Sequence, residues 1–208
     1  MKKIEVIISL FVSILLIGLS YFKLVPFALT EVFGFITGGL CVWLVVKQNI
    51  WNWPVGIANN IFFIILFFQS RLFADMGLQF IYIILSVIGW HFWLKGGKDR
   101  TELTVTRAPV KLMFGLMFLL VVSTGILTYI LIQVNDSAPF LDALTTMLSL
   151  AAQFLLTKKY IQNWYFWIIA DVIYIYLYFA KGLGLTAVLY AVFLSMCLIG
   201  LNRWRKSL

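Results

Sequence analysis

At 208 residues the chain could fill one or two domains, and its composition decides the class: 63% of residues are apolar, 12% are charged and the mean hydropathy is +1.01. Soluble domains run at about 45–50% apolar and about 25% charged, so a water-exposed globule and a disordered chain are both excluded, and an all-α polytopic membrane protein remains. The net charge of +8 comes without a basic helix or a zinc spacing, so no nucleic-acid partner is expected.

A spanning helix needs about 20 mainly apolar residues. Breaks at polar and turn-forming residues give eight candidate spans, at about 4–22, 27–46, 50–68, 72–93, 112–132, 139–157, 161–180 and 183–203. The first follows Met1-Lys2-Lys3 and has no small-x-small cleavage site after Leu19, so it reads as an uncleaved helix. Most joints are short, such as Lys47-Gln48-Asn49 and Lys158-Lys159-Tyr160; the longer polar segment is 95–111. A β-barrel is excluded, because its strands alternate over about ten residues and these runs are twice as long.

Eight helices put both termini and every second joint on one side. Thirteen basic residues then share that side, and Lys23, Arg71 and Lys181 make three on the other. By the positive-inside rule both termini are cytoplasmic.

The chain also matches itself without a gap at an offset of 111. Asn52-Trp53 falls on Asn163-Trp164, Lys47 on Lys158, Gly89 on Gly200 and Trp93 on Trp204, with Glu31 on Asp142 and Asn60 on Asp171 as conservative pairs. The organisation expected is an extra N-terminal helix in 1–26, a three-helix repeat in 27–93, a cytoplasmic loop and linker helix in 94–137, and a second three-helix repeat with a basic tail in 138–208. Three helices plus one linker is an even step, so the repeats enter from the same side and are parallel. That is one of the known transporter plans, with substrate held at the repeat interface.

Polar groups inside spans are costly and face the bundle interior or a cavity. Trp164, Trp167, Asp171, Tyr174 and Tyr178 recur along one helix face, and Trp53, Gly56, Asn60, Phe63 and Phe67 are their counterparts. Two readings are open: the aromatic stripe lines a slot for a flat ring, or it is core packing. Gln79, Tyr82 and Ser86 form a second polar stripe, and Gln153 with Ser149 and Thr145 or Thr146 a third; ligand and helix–helix hydrogen bonds are the alternatives for both. Glu31 and Asp142 suit helix N-termini or an outer gate. Gly34 and Gly38 permit close helix contact, and Pro54 is tolerated in a first turn. Cys41 and Cys197 read as buried small hydrophobes. His91 is the only histidine, no nucleophile–base pair or phosphate loop is present, and neither an enzyme, a metal site nor a cofactor is expected. With basic residues confined to helix ends and joints, the interior suits a flat polar or cationic ring better than a phosphate.

The runs Asn49-Ile50-Trp51-Asn52-Trp53-Pro54-Val55-Gly56 and Asn163-Trp164-Tyr165-Phe166-Trp167-Ile168-Ile169-Ala170-Asp171 resemble the two signature segments of the PnuC family of bacterial vitamin transporters. The segments Phe140 to Thr146 and Lys181 to Trp204 are similar to that family as well, so the resemblance covers about 27–204. It implies facilitated uptake of nicotinamide riboside across the bacterial inner membrane for NAD synthesis, a SWEET-like 3+1+3 fold, a homotrimer among membrane lipids, and trapping by a cytoplasmic riboside kinase. Thiamine, and after it riboflavin, are the alternative cargoes. It also implies substrate contacts at Asn60, Gln79, Tyr82, Trp164, Trp167 and Asp171, with Gln153; the residues themselves add Trp53 and Tyr174. Gly56 stands where the second repeat has Trp167, so stacking from that point comes from one half alone.

Overall fold

The structure, a computed structural model, describes residues 29–69, 73–180 and 184–208 with the single positions 18 and 22. Among these residues the chain forms α1 (Leu29–Val46), α2 (Asn52–Gln69), α3 (Phe73–Lys95), α4 (Val110–Gln133), α5 (Pro139–Thr157), α6 (Asn163–Ala180) and α7 (Gly184–Arg205), with one 3-10 turn at Lys98–Arg100. Their ends fall within a few residues of the spans expected from polar breaks. The expected helix over 4–22 lies outside the described residues, apart from positions 18 and 22.

Five stretches among the described residues are long and apolar enough to cross a bilayer: Asn52–Gln69, Met76–Lys95, Val110–Gln133, Pro139–Thr157 and Ala187–Arg205. Helix α6 is not among them because its Trp, Tyr, Asn and Asp residues lower its hydropathy. The outer surface is apolar. On α4, Phe114 and Phe118 are 75% and 73% exposed, an arrangement that suits lipid and would aggregate in water. Helices satisfy their own backbone, which is why they can stand in hydrocarbon at all.

Consecutive helices pack on one another from α1 to α3 and from α4 to α7, and the bundle closes where α1 meets α7 and α3 meets α5. Small residues on the inner faces of α5 and α6 (Ala143, Ala151, Ala152 and Ala170, all buried) let those backbones approach closely.

One end of the bundle is closed by four tryptophans. Trp53 and Trp93 meet edge to face at 5.3 Å and 87°, Trp164 and Trp204 at 5.4 Å and 87°, and Trp93 and Trp204 join the pairs at 6.0 Å. Gly89 and Gly200 leave room for the two inner rings. A Cβ at Gly89 would stand 2.5 Å from Trp53 Cζ2, and one at Gly200 would stand 2.5 Å from Trp164 Cζ2. Two hydrogen bonds join α3 to α5 and α7 to α1 here: Trp93 Nε1 donates to the Leu156 carbonyl at 3.0 Å, and Trp204 Nε1 donates to the Val45 carbonyl at 3.1 Å. The joints before α2 and α6 are alike too. Gln48 and Lys159 turn through positive φ (54° and 55°), and the amides of Asn52 and Asn163 bond back to the Asn49 and Tyr160 carbonyls at 2.8 and 2.6 Å.

The segment 95–111, expected as a polar loop, is a tethered strap. Leu103 N donates to Trp93 O at 3.0 Å, Ile161 N to Thr106 O at 3.0 Å, and Ala108 N to Gln162 Oε1 at 2.9 Å. Lys159 Nζ donates to Leu103 O at 2.8 Å and sits 4.5 Å from the Trp93 ring centre. Burial pushes its ammonium below the ordinary lysine range, with Glu102 pulling the other way.

Candidate functional site

The face of α6 splits into two environments. Its first turn gives Trp164, 1% exposed and spent on the tryptophan cluster, as its counterpart Trp53 on α2 is, also at 1%. Of the two readings of the stripe, packing describes these rings, because the glycines opposite them shape closed slots that the indoles fill. Neither indole N–H finds an acceptor among the described residues, although buried donors ordinarily have one. Trp167, half-buried, bridges the tryptophan cluster and the α4–α5–α6 layer.

Two turns further along, about 12 Å from the start of α6 at 1.5 Å per residue, the chemistry becomes polar. Asp171 is 5% exposed and accepts a hydrogen bond from the Cys197 thiol at 3.4 Å. Tyr174 stacks against Tyr178 at 6.0 Å and meets Tyr190 of α7 at 4.7 Å; Tyr178 and Tyr190 stack at 5.2 Å. Tyr82 of α3 reaches across to Ser149 of α5 and lies near Tyr174, which in turn interacts with Thr145 and Ser149. Gln153 Nε2 stands 3.5 Å from Ser86 Oγ, at the limit of a hydrogen bond. Tyr82, Tyr174 and Tyr190, on separate helices, thus meet at mid-bundle around Ser149, while Asp171 lies one turn nearer the tryptophan cluster that its partner Cys197 joins, and Gln153 reaches Ser86.

Asn60 and Gln79 are half-buried on α2 and α3, without a side-chain hydrogen bond among the described residues. Glu31 lies on α1 and its side chain falls outside the described residues; Asp142 sits in the first turn of α5. Gly34 is in close contact, since a Cβ there would stand 2.5 Å from Phe63 Cζ, whereas Gly38 is at ordinary distance from Phe193, 4.0 Å. Pro54 occupies the first turn of α2. Three contributors escaped the reading of the sequence. Cys197 is buried in the tryptophan cluster, as expected of a small hydrophobe, and in addition donates to Asp171, a role for which its counterpart Ser86 at the 111 offset was the available signal. Tyr190 completes the tyrosine group. Asn59, beside the expected Asn60, ties α2 to α1 through Thr37 Oγ1 at 2.5 Å.

Apolar helices around a mid-span cluster of hydroxyls, an amide and one carboxylate define a multi-pass membrane protein with a polar interior. The model of the nicotinamide mononucleotide transporter family matches residues 28–206, and the chain belongs to that family, which includes the PnuC proteins and comprises membrane transporters, not enzymes. It is 28% identical over 203 residues to the nicotinamide riboside transporter PnuC of Escherichia coli K12, covering 85% of each chain. It is 22% identical to the riboflavin/roseoflavin transporter RibM of Streptomyces davaonensis, covering 84% of each. The crystal structure of the vitamin B3 transporter PnuC superposes with a TM-score of 0.68 at 24% identity, over 96% of this chain and 91% of that one. That likeness shows the fold.

Proposed function

We propose that the protein carries nicotinamide riboside across the bacterial inner membrane by facilitated diffusion, for NAD synthesis. The observation that carries this reading is the cluster of Tyr82, Ser149, Asp171, Tyr174 and Tyr190 at mid-span. It offers aromatic faces and a carboxylate to a pyridinium ring, and hydroxyls to a ribose. Cation–π attraction supplies about 0.5–2 kcal/mol, more as the site loses water. Among the described residues Lys and Arg lie at helix ends and in joints, so a phosphate would enter this interior without a counter-charge.

In this reading Asn60, Gln79, Gln153 and Trp167 complete the wall, and the unpartnered indole N–H groups of Trp53 and Trp164 lie at its closed end. The architecture is 1 + (3+1+3): two parallel triplets, SWEET-like, with both termini cytoplasmic. Supporting it are the equivalent features at the 111 offset, namely the ring-on-glycine pairs, the exchanged indole-to-carbonyl bonds, the left-handed joint residues and the two matching seams. Glu31 and Asp142 would flank the outer gate. The trimer and the kinase that traps the product inside belong to the same proposal.

RibM favours a second reading, riboflavin, and thiamine is a third cargo with a cationic ring. Titrating purified protein with nicotinamide riboside, thiamine and riboflavin separates them, followed by uptake of the tightest binder into sealed vesicles. Saturable uptake that stops at equal concentrations, abolished in Trp167→Ala and Asp171→Ala variants that remain folded, is expected. Tighter binding of riboflavin or thiamine overturns the cargo, and accumulation above the outside concentration overturns uniport.

A further inference from the structure

At the tryptophan-closed end of the bundle, outside the polar interior, a groove of about 560 Å³ lies between the strap, the start of α6 and the end of α7. It is lined by Arg107, Ile161, Gln162, Tyr165, Arg205 and Leu208. Each of its polar side chains carries an N–H or O–H donor. Arg205 Nη2 donates to the Tyr165 hydroxyl oxygen at 3.1 Å, which leaves the phenol proton free to point elsewhere. Gln162 spends its carbonyl oxygen on Ala108 N at 2.9 Å, which leaves its NH2 facing outward bonds. The strap holds Arg107 in place through the Thr106 and Ala108 backbone bonds. No Asp or Glu side chain lines the groove, and neither arginine forms an ion pair among the described residues. Two guanidinium groups, an amide NH2 and a phenol around one opening make an anion-binding arrangement.

A second, independent feature begins at the same groove. Down α6 the exposed residues are Tyr165, Ile169, Val172 and Tyr176, at steps of four, three and four along one face. The run from 165 to 176 is about 16 Å long at 1.5 Å per residue, half of the roughly 30 Å hydrocarbon thickness. The apolar track therefore has the length of one lipid chain in one leaflet, and the donors stand where its headgroup would be.

We propose that this groove is a binding site for an anionic phospholipid, whose phosphate is held by Arg107, Arg205, Gln162 and Tyr165 and whose acyl chain lies along Ile169, Val172 and Tyr176. Phosphatidylglycerol fits the charge; phosphatidylethanolamine brings an ammonium that meets two arginines. Its assignment to the cytoplasmic leaflet rests on the topology proposed above, whereas the binding itself does not depend on the cargo.

The test is native mass spectrometry of the purified full-length protein with phosphatidylglycerol or phosphatidylethanolamine, alongside thermal unfolding in detergent with each lipid. Expected are a retained phosphatidylglycerol adduct, a raised unfolding midpoint, and at least a tenfold weaker apparent affinity in the R107Q/R205Q double variant. Ile169→Ser should weaken retention with both arginines intact. Substrate titration of the same variants should be unchanged, which keeps failure of the groove separate from failure of the proposed cargo. Equal retention of the two lipids, or an unaffected double variant, overturns the proposal. Inorganic phosphate or glycerol phosphate giving the same stabilisation at equal concentration marks a soluble-anion site and overturns the lipid assignment. A stripe that becomes buried between copies of the chain, with no lipid retained, overturns it as well.

Discussion

Gly200→Ala is the smallest perturbation that probes how the bundle closes. The added methyl is fixed to the α7 backbone and would stand 2.5 Å from Trp164 Cζ2 and 2.8 Å from Cζ3, with Cη2 nearer still. The indole has little room to retreat: it is 1% exposed and its far side meets Trp204 edge-on at 5.4 Å. Overpacking a filled core of this kind costs about 1–3 kcal/mol. For a chain of this length that lowers the unfolding midpoint by about 2–4 °C per kcal/mol. The clashing atoms belong to the indole's six-membered ring, so Trp164→Phe withdraws them. Alone, Trp164→Phe leaves a void and destabilises; combined with Gly200→Ala it should recover stability, with a compensating coupling of about 1 kcal/mol. Thermal unfolding in detergent of the wild type, both single variants and the double variant measures that cycle. Strictly additive losses, or a Gly200→Ala variant as stable as wild type, would refute the packing argument. Gly89→Ala with Trp53→Phe should behave the same way, since the geometry there is the same.

Trp204→Phe leaves the Val45 carbonyl without its indole donor and should destabilise by about 1–3 kcal/mol, with Trp93→Phe doing the same at Leu156; unfolding midpoints check both. Lys159→Met removes the bond to Leu103 O but also a partly desolvated ammonium, so the global midpoint should barely move while tryptic cleavage at Arg107 quickens by up to about tenfold, the equivalent of about 1.4 kcal/mol. Nicotinamide mononucleotide should bind at least a hundredfold more weakly than its riboside, about 2.7 kcal/mol by the affinity relation; equal dissociation constants would refute the absence of an interior counter-charge. Asp171→Asn keeps shape and hydrogen bonding but drops the charge, so it should weaken a cationic ring more than a neutral one such as riboflavin, read by isothermal titration of both.

Span lengths were legible because hydrocarbon thickness fixes them directly, and the ends of α3, α5 and α6 fall close to the polar breaks. The strap was not. Residues 101–108 are polar enough to pass for loop, and their order comes from backbone bonds to Lys159 and Ile161, partners more than 50 positions away that no local pattern announces. The polar stripes were legible as faces, since three- and four-residue steps put Tyr82 with Ser86 and Asp171 with Tyr174. What each face meets was not legible. Trp164 and Asp171 share a helix face, yet Trp164 fills the aromatic corner against Gly200, whereas Asp171, two turns on, meets the thiol of Cys197 at the inner edge of that corner. The offset of 111 carried that information. It pairs Trp93 with Trp204, which mark the closed corner, and Ser86 with Cys197, which meet Gln153 and Asp171.

The matched polar and aromatic positions differ by place in the bundle. The asparagine, tryptophan and glycine identities at the offset, Asn52 and Asn163, Trp53 and Trp164, Gly89 and Gly200, Trp93 and Trp204, build the closed end, where rings must fit glycines and indoles must reach carbonyls. Those that differ, Asn60 and Asp171, Phe63 and Tyr174, Phe67 and Tyr178, Gln79 and Tyr190, lie further along the helices. Close packing tolerates few residue types, which keeps these pairs alike. On the proposed function, a lining that grips an unsymmetrical ligand is under no such restriction. One half offers amides and phenylalanines, the other a carboxylate and phenols, and a molecule with a cationic ring at one end and hydroxyls at the other meets different chemistry in its two orientations. On the proposed function such a lining would select one pose for the cargo, and exchanging the charge, Asn60→Asp with Asp171→Asn, should not restore the binding that Asp171→Asn alone removes.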